Sequence, residues 1–357
     1  MLVFFLVLIA LLLLLAFLVY RPKTSVSGSN TKENLLGTSS SFAHPVNTIL
    51  FSSLPADVQK AVVENSGTPP HYPNTNIPAS FDARQKWPGL ITGPLDQEKC
   101  GSCWAFSTTT SMSDRWRITY PNDTGLRRMI TQYYPAYPDT TEVYSVLNNI
   151  SPYQLVSCDL CNYLSNFYPE YSEYFKGAGA SCNEACGGGT IEFAFDYLIR
   201  GGANSILDTD PIPCNPASPQ GENGCPCKYN RNATVYKAKS RYMVTNPNDS
   251  NETKRQKIML DVLNFGPVSV GYTVYQSFYD FFDQNPNGIY TASDAPPNDK
   301  MIGGHAVVIV GWGTDPTTGI FYWIIRNSWG LNWGNQGFFK IQYDLDGILE
   351  EPWGIVV

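Results

Sequence analysis

With 357 residues, 43 % hydrophobic, 13 % aromatic and only 15 % charged, the chain has the composition of a large folded core, which excludes a solvated disordered polymer. Its net charge is −7 and no Lys/Arg cluster resembles a nucleic-acid footprint, so nucleic acid is excluded as an expected partner. The nine cysteines are too many for a chain that ignores thiol chemistry.

Residues 2–20, LVFFLVLIALLLLLAFLVY, carry no charge and no helix breaker over about the length of a bilayer-spanning helix. An N-terminal hydrophobic helix is expected here, either a transmembrane anchor or a signal segment. No basic stretch precedes it, the apolar run exceeds an ordinary signal core, and no small-x-small site follows, which favours a retained anchor. Arg21 and Lys23 would hold the following chain in the cytoplasm under a charge-bias rule. The cysteine clusters SCDLC, SCNEAC and CPC, and N-x-S/T sequons at Asn122, Asn149, Asn232, Asn248 and Asn251, favour an oxidising compartment instead. The expectation is a single-pass membrane glycoprotein with its folded part on the lumenal or extracellular side. The alternative is a secreted or lysosome-like location after signal cleavage.

Residues 21–76 are rich in Ser, Thr, Asn and Pro and read as a stalk, a pro-segment or both. Within them LPADVQKAVVENSG predicts one short helix with Leu54, Val58, Ala61 and Val62 on one face, and TPPHYPNTNIP reads as a linker. The globular part starts near Ile77. Ser102 is placed to cap a helix through CWAFSTTTSMSDRWRI, with Phe106, Thr109 and Trp116 at helical spacing and Cys103 in the first turn. TIEFAFDYLIR predicts a second helix closed by Gly201-Gly202, and TKRQKIMLDVLNF a third stopped by Gly266-Pro267. Beyond it, PVSVGYTV, HAVVIVGWG, FYWIIRNSWG and GFFKIQYD read as strands. Residues 117–152 and 205–253 read as irregular loops. A helical domain over 77–204 and a β-rich domain over 205–357 follow from this change of texture.

The stretch DQEKCGSCWAF sets Cys100 and Cys103 three apart. A thiol-disulfide oxidoreductase would place such a pair at a helix start inside a βαβ unit, yet WPGLITGPLDQEK before Cys100 holds two prolines and no convincing strand. A zinc site could draw on Cys158/Cys161, Cys182/Cys186 and Cys225/Cys227, but these spacings are irregular and an oxidising compartment favours bridges. An odd cysteine count leaves one thiol over, and Cys103, at a helix N-terminus, suits a thiolate. A base must come from His44, His71 or His305, and only His305 lies in the globular part. A strand-edge histidine on its own is more readily structural than catalytic. Asn327, followed by Trp329, offers a neutral partner that could hold the imidazole ring under an aromatic cover.

DQEKCGSCWAFS, GGHAVVIVGWG and YWIIRNSWGLNWGNQGFFKI, with SPYQLVSCD and CGGGTIEFAFDYL between the first two, resemble in order the signature blocks of papain-like cysteine proteases. IPASFDARQKWP, SMSDRWRI and the short pro-segment are similar to the cathepsin B-like branch. The resemblance implies an α+β, papain-like two-domain fold, a helical domain and a β-barrel-like domain meeting at a cleft. It implies Cys103 as nucleophile, His305 as base and acid, Asn327 as the residue orienting the imidazole, and Gln97 as oxyanion-hole donor. It implies a structural disulfide between Cys100 and Cys186, and Gly188 and Gly189 as a wall that pairs with substrate backbone. Trp329 would cover the site, and Glu351 would floor the pocket for the second residue before the cleaved bond, although a solvated tail acid is an equal reading of it.

The chain departs from the exopeptidases of that branch, which hold a substrate carboxylate with paired histidines, because no histidine lies between His71 and His305. The expected function is therefore a cysteine endopeptidase made as a zymogen, acting on protein or peptide substrates, restrained by its own pro-segment, and using neither metal nor cofactor. The alternatives are a catalytically inactive binding protein on the same fold, the oxidoreductase, and a ligase running the same acyl-enzyme towards an amine.

Overall fold

The longest helix among the described residues buries almost its whole surface despite a run of Ser and Thr, and its hydroxyls explain how. In the computed structural model, which describes residues 44–133, 143–158, 186–209 and 230–357, this helix runs Cys103–Thr119. Thr108, Thr109, Thr110 and Ser113 each donate to the carbonyl one turn back, at 2.6–2.8 Å, so no hydroxyl enters the core unpaired. Ser102 occupies the N-cap position as expected, but its side chain makes no capping bond.

In chain order the elements are α1 (Ala56–Glu64), β1 (Phe81–Asp82), α2 (Ala83–Lys86), α3 (Cys103–Thr119), β2 (Met129–Tyr133), β3 (Val143–Leu147), α4 (Pro152–Ser157), α5 (Ile191–Arg200), β4 (Ser240–Met243), α6 (Asn251–Phe265), β5 (Val268–Tyr275), α7 (Gln276–Gln284), β6 (Ile289–Tyr290), β7 (Met301–Thr314), β8 (Phe321–Arg326), β9 (Phe338–Gln342) and β10 (Glu351–Val356). All lie in one compact unit, Ala43–Val357. Thr190 caps α5 by accepting from the Phe193 amide, and Gly202, at φ +73°, closes it by donating to Tyr197 O. Ser250 caps α6, and Gly266, at φ +102°, ends it. The four expected strand runs correspond to β5, β7, β8 and β9.

The main sheet has the order β4-β10-β5-β7-β8-β9-β6, with β1 on the edge of β7. The barrel-like closure expected from the resemblance is not formed: among the described residues the path stays open, because β4 and β6 do not pair with each other. Antiparallel pairing of β5 with β7 sets Tyr272 opposite His305, and β7 with β8 sets Val308 opposite Arg326. Helix α3 packs on this sheet, so Cys103 at its N-terminus faces His305 on β7 and Asn327 just after β8. A buried cluster clamps the two layers. Asp114 of α3 accepts from Arg117 and from Arg326 at 2.7 Å each, and Arg326 is the residue before Asn327.

Parts of both expected loop regions carry strands. Residues 117–152 contain the hairpin of β2 and β3, and residues 205–253 contain β4. The predicted short helix appears as α1, with Leu54, Val58, Ala61 and Val62 all buried. The expected span at residues 2–20 lies outside the described residues. Among the described residues no helix is long and apolar enough to cross a membrane; the longest, α3, has 17 residues with polar hydroxyls throughout. The single-pass membrane assignment is corrected accordingly. The sequon at Asn149 is also corrected as a glycan acceptor, because its side chain is fully buried and bonded to Leu147 O and Thr92.

Candidate active site

Cys103 is a buried free thiol, while its neighbour Cys100 is tied to Cys186 in a disulfide. The two cysteines of DQEKCGSCW therefore cannot act as a reversible redox pair. Cys158 is also disulfide-bonded, which removes it and Cys186 from any thiolate zinc set; Cys161, Cys182, Cys225 and Cys227 lie outside the described residues.

His305 is wholly buried on β7. Its Nε2 lies 2.8 Å from Asn327 Oδ1, which fixes the ring and leaves Nδ1 for a partner on the Cys103 side. Asn327 Oδ1 also accepts from the Ser328 amide at 2.8 Å, so its carbonyl end points at the imidazole. Trp329 stacks on His305, ring centroids 4.8 Å apart, and shields this hydrogen bond from water. Burial pushes the Cys103 thiol up. The charge of His305 beside it, with help from the Thr48 hydroxyl and the Ala306 backbone, outweighs burial and brings it down to about 7.

Gln97 sits beside this group with Nε2 directed into the cleft, 2.8 Å from Cys100 O and 2.9 Å from Pro45 O. The Ser328 hydroxyl donates to Gln97 Oε1 at 2.6 Å and holds the amide the right way round. The sequence reading passed over Ser328, although it stands in the same RNSWG block as Asn327.

The structure also shows what fills the cleft. Residues 44–53 of the proline-rich leader run through it. The Thr48 hydroxyl lies 3.0 Å from Cys103 Sγ, and the Thr48 amide donates to Gly304 O at 2.8 Å. The Gly189 amide donates to Asn47 O at 3.2 Å and the Ile49 amide to Gly189 O at 2.9 Å, a parallel bridge. Gly188, at φ +130°, permits this approach, since a Cβ there would collide with Asn47 O. At one end His44 stacks on Trp329 at 5.2 Å. At the other, Leu50 lies over Gly271, whose open face Glu351 and Ile191 also border.

Glu351 is not a solvated tail acid. It begins β10, is buried, and accepts from the amides of Phe51 and Ser52 at 2.7 Å each. Burial raises its pKa against the lowering effect of these two amides. Leader helix α1 then docks through Arg241, which donates to Val62 O at 3.2 Å and to the Ser66 hydroxyl. No sequence signal marked Thr48, His44 or Leu50 as cleft residues, since an extended segment has no periodicity to read.

The chain matches the family described as papain family cysteine protease over residues 77–127 and 139–352. It is 29 % identical over 280 residues to the cathepsin B-like cysteine proteinase 3 of Caenorhabditis elegans, covering 74 % of this chain and 62 % of that protein. With the cathepsin B-like CP3 of Giardia intestinalis it shares 30 % identity over 272 residues, covering 75 % of this chain and 70 % of that one. Among solved structures, the procathepsin B S9 of Trypanosoma congolense superposes with a TM-score of 0.57 at 23 % identity, covering 87 % of this chain and 86 % of that one, which supports a papain-like α+β fold.

Proposed function

This chain belongs to the papain family of cysteine proteases, and we propose that it is a cathepsin B-like endopeptidase whose residues 44–66 block its own cleft until they are removed. The observation that carries the reading is the free Cys103 beside His305, with the imidazole held at 2.8 Å by Asn327. The Cys103 thiolate attacks the scissile carbonyl, Gln97 Nε2 and the Cys103 amide stabilise the oxyanion, and His305 gives its proton to the leaving amine. Water, deprotonated by His305, then hydrolyses the thioester. Every step uses side-chain and backbone groups of this chain together with water.

The leader supports the zymogen half of the reading. If Glu351 floors the pocket for the second residue before the cleaved bond, a substrate places its N-terminal residues there. The leader places its C-terminal residues 50–52 there instead, and so runs in the opposite sense to a substrate. Its Pro45 carbonyl is offered to Gln97 without a leaving amine on the correct side, which lets it occupy the cleft uncut. An internal cleavage mode follows from the missing paired histidines between His71 and His305.

The test is cleavage, by the processed enzyme, of a quenched peptide blocked at both ends. The reading expects turnover that is lost in Cys103→Ala with the fold intact. Equal turnover in that variant refutes the mechanism, and turnover restricted to peptides with a free C-terminus refutes the endopeptidase assignment.

A further inference from the structure

Past the cleft the leader is fastened at two places, with a short unbonded stretch between them. Upstream, the Gly67 amide donates to Arg241 O of β4 at 2.8 Å, directly after the Ser66 hydroxyl that Arg241 holds. Downstream, the Tyr72 hydroxyl donates to Asp261 Oδ2 at 3.2 Å, and its ring lies 5.7 Å from that of Phe265, both partners on α6. The Asn74 amide donates to Asn264 Oδ1 at 2.8 Å, and Asn264 Nδ2 returns a bond to Asn74 O at 2.7 Å. Trp312 Nε1 then donates to Pro78 O at 3.0 Å, just ahead of β1. Between the two anchors Thr68, Pro69, Pro70 and His71 make no hydrogen bond among the described residues, and Thr68, Pro69 and His71 are exposed.

The two anchors differ in strength. Asp261 is wholly buried and also accepts from Arg115 and, at 2.8 Å, from the Tyr242 hydroxyl, while Arg115 donates to Pro267 O at 2.9 Å. Tyr72 therefore closes a network that already ties α3, β4 and α6 together. The upstream anchor hangs on α1, a helix of nine residues, and helices under about 12–15 residues are marginal once undocked. Local opening that admits a protease starts at the weaker side, so α1 lifts while residues 72–78 stay in place.

We propose that the activating cut falls between Gly67 and Tyr72, and that residues 72–76 stay on the processed enzyme as an N-terminal clasp on α6. The inference rests on the zymogen reading above and names its processing site. It departs from the resemblance, by which the globular part starts near Ile77. Proline narrows the choice of bond. A protease reads an extended segment through its backbone N–H and C=O groups, and a proline ring nitrogen has no N–H to offer. Cuts at Thr68-Pro69 and Pro69-Pro70 are thereby disfavoured, which leaves Gly67-Thr68, Pro70-His71 and His71-Tyr72. The step is hydrolysis of one amide, water giving its hydroxyl to the new carboxyl end and a proton to the new amine. Tyr72-Pro73 then resists trimming from the new N-terminus for the same reason, so the clasp outlasts the cut.

The experiment maps the cut on the full zymogen carrying Cys103→Ala, which cannot cut itself. It is treated in parallel with a trace of processed wild-type enzyme and with subtilisin, and new N-termini are read by mass spectrometry over time. Both proteases are expected to give first N-termini at Thr68, His71 or Tyr72, with residues 72–76 still attached when the leader has gone. Tyr72→Ala combined with Asn264→Ala removes the clasp's side-chain contacts, and cutting at the bonds from Asn74 to Ile77 should then quicken by about tenfold or more. Tyr72→Phe, which keeps the ring and loses one hydroxyl, should quicken it by about threefold. A first N-terminus at Ile77 or later without the substitutions, or an unaltered pattern in the double variant, overturns the proposal. If subtilisin cuts at the expected bonds and the processed enzyme cuts nowhere, the placement of the site stands and the protease reading is refuted.

Discussion

Replacing Glu351 with Ala should loosen the leader's grip on the cleft more than any other single change in the cleft floor. The carboxylate accepts two backbone amides, from Phe51 and Ser52, at 2.7 Å each, in a pocket sealed from solvent. A hydrogen bond to a charged group contributes about 1.5–3 kcal/mol, and an amide left buried without an acceptor costs about 1–3 kcal/mol. Relief of the buried carboxylate's own desolvation offsets part of this loss, because burial already raises its pKa. A net loss of about 3 kcal/mol results, or about 150-fold in affinity. The assay is inhibition of the processed enzyme in trans by a synthetic peptide of residues 44–66, read as protection of Cys103 from alkylation so that altered substrate preference does not interfere. Glu351→Gln, whose amide oxygen still accepts one bond, should lose roughly half as much free energy. An inhibition constant within about twofold of wild type in Glu351→Ala would refute the claim that this carboxylate anchors the leader.

Other perturbations probe the remaining parts. The rate of Cys103 alkylation should titrate with an apparent midpoint near 7, falling as pH drops below it because the neutral thiol accumulates. In His305→Ala burial is left without its main opponent, so the midpoint should rise above the ordinary thiol range of about 8.5, and an unmoved midpoint contradicts the pairing. Asn327→Ala should lower kcat on the order of 100-fold by freeing the imidazole ring, while KM changes little. Ser328→Ala, which releases Gln97, should cost about tenfold in kcat/KM, and full activity in it would mean the amide needs no orienting partner. Asp114→Asn breaks the clamp between α3 and β8 and leaves Arg117 and Arg326 short of an acceptor. A loss of about 3–5 kcal/mol is expected in denaturant unfolding, and a value under about 1 kcal/mol would show the cluster to be dispensable.

The centre of the cleft was legible in the sequence because its chemistry is written in rare residues. A leftover thiol at a helix start, a single histidine in the globular part and an asparagine two residues before a tryptophan stand out in the sequence, but their roles were read from the resemblance to papain-like proteases. The helices α3, α5 and α6 and the strands β5, β7, β8 and β9 were legible for a different reason, since caps, glycine stops and β-branched runs act locally. The β2-β3 hairpin and β4 were missed because their partners are distant or their runs short and polar. The closed barrel was expected by resemblance and fails because the edge strands β4 and β6 do not meet, a long-range fact no local pattern encodes. The path of residues 44–53 through the cleft was invisible for the same reason. An extended segment is held by backbone bonds to Gly189, Gly304 and Glu351, and backbone groups are the same in every sequence. Glu351 itself could be read either as a pocket floor or as a solvated acid, and its burial excludes the second reading.

The account stands most directly on Cys103 being the one reactive thiol. The decisive measurement is peptide mapping by mass spectrometry of the processed, non-reduced protein after treatment with a thiol-selective epoxide. Stoichiometric label on Cys103, with Cys100 recovered in a disulfide to Cys186, is the predicted result. A well-folded, processed sample that takes no label at Cys103, or that yields Cys100 and Cys103 bridged to each other, would contradict it.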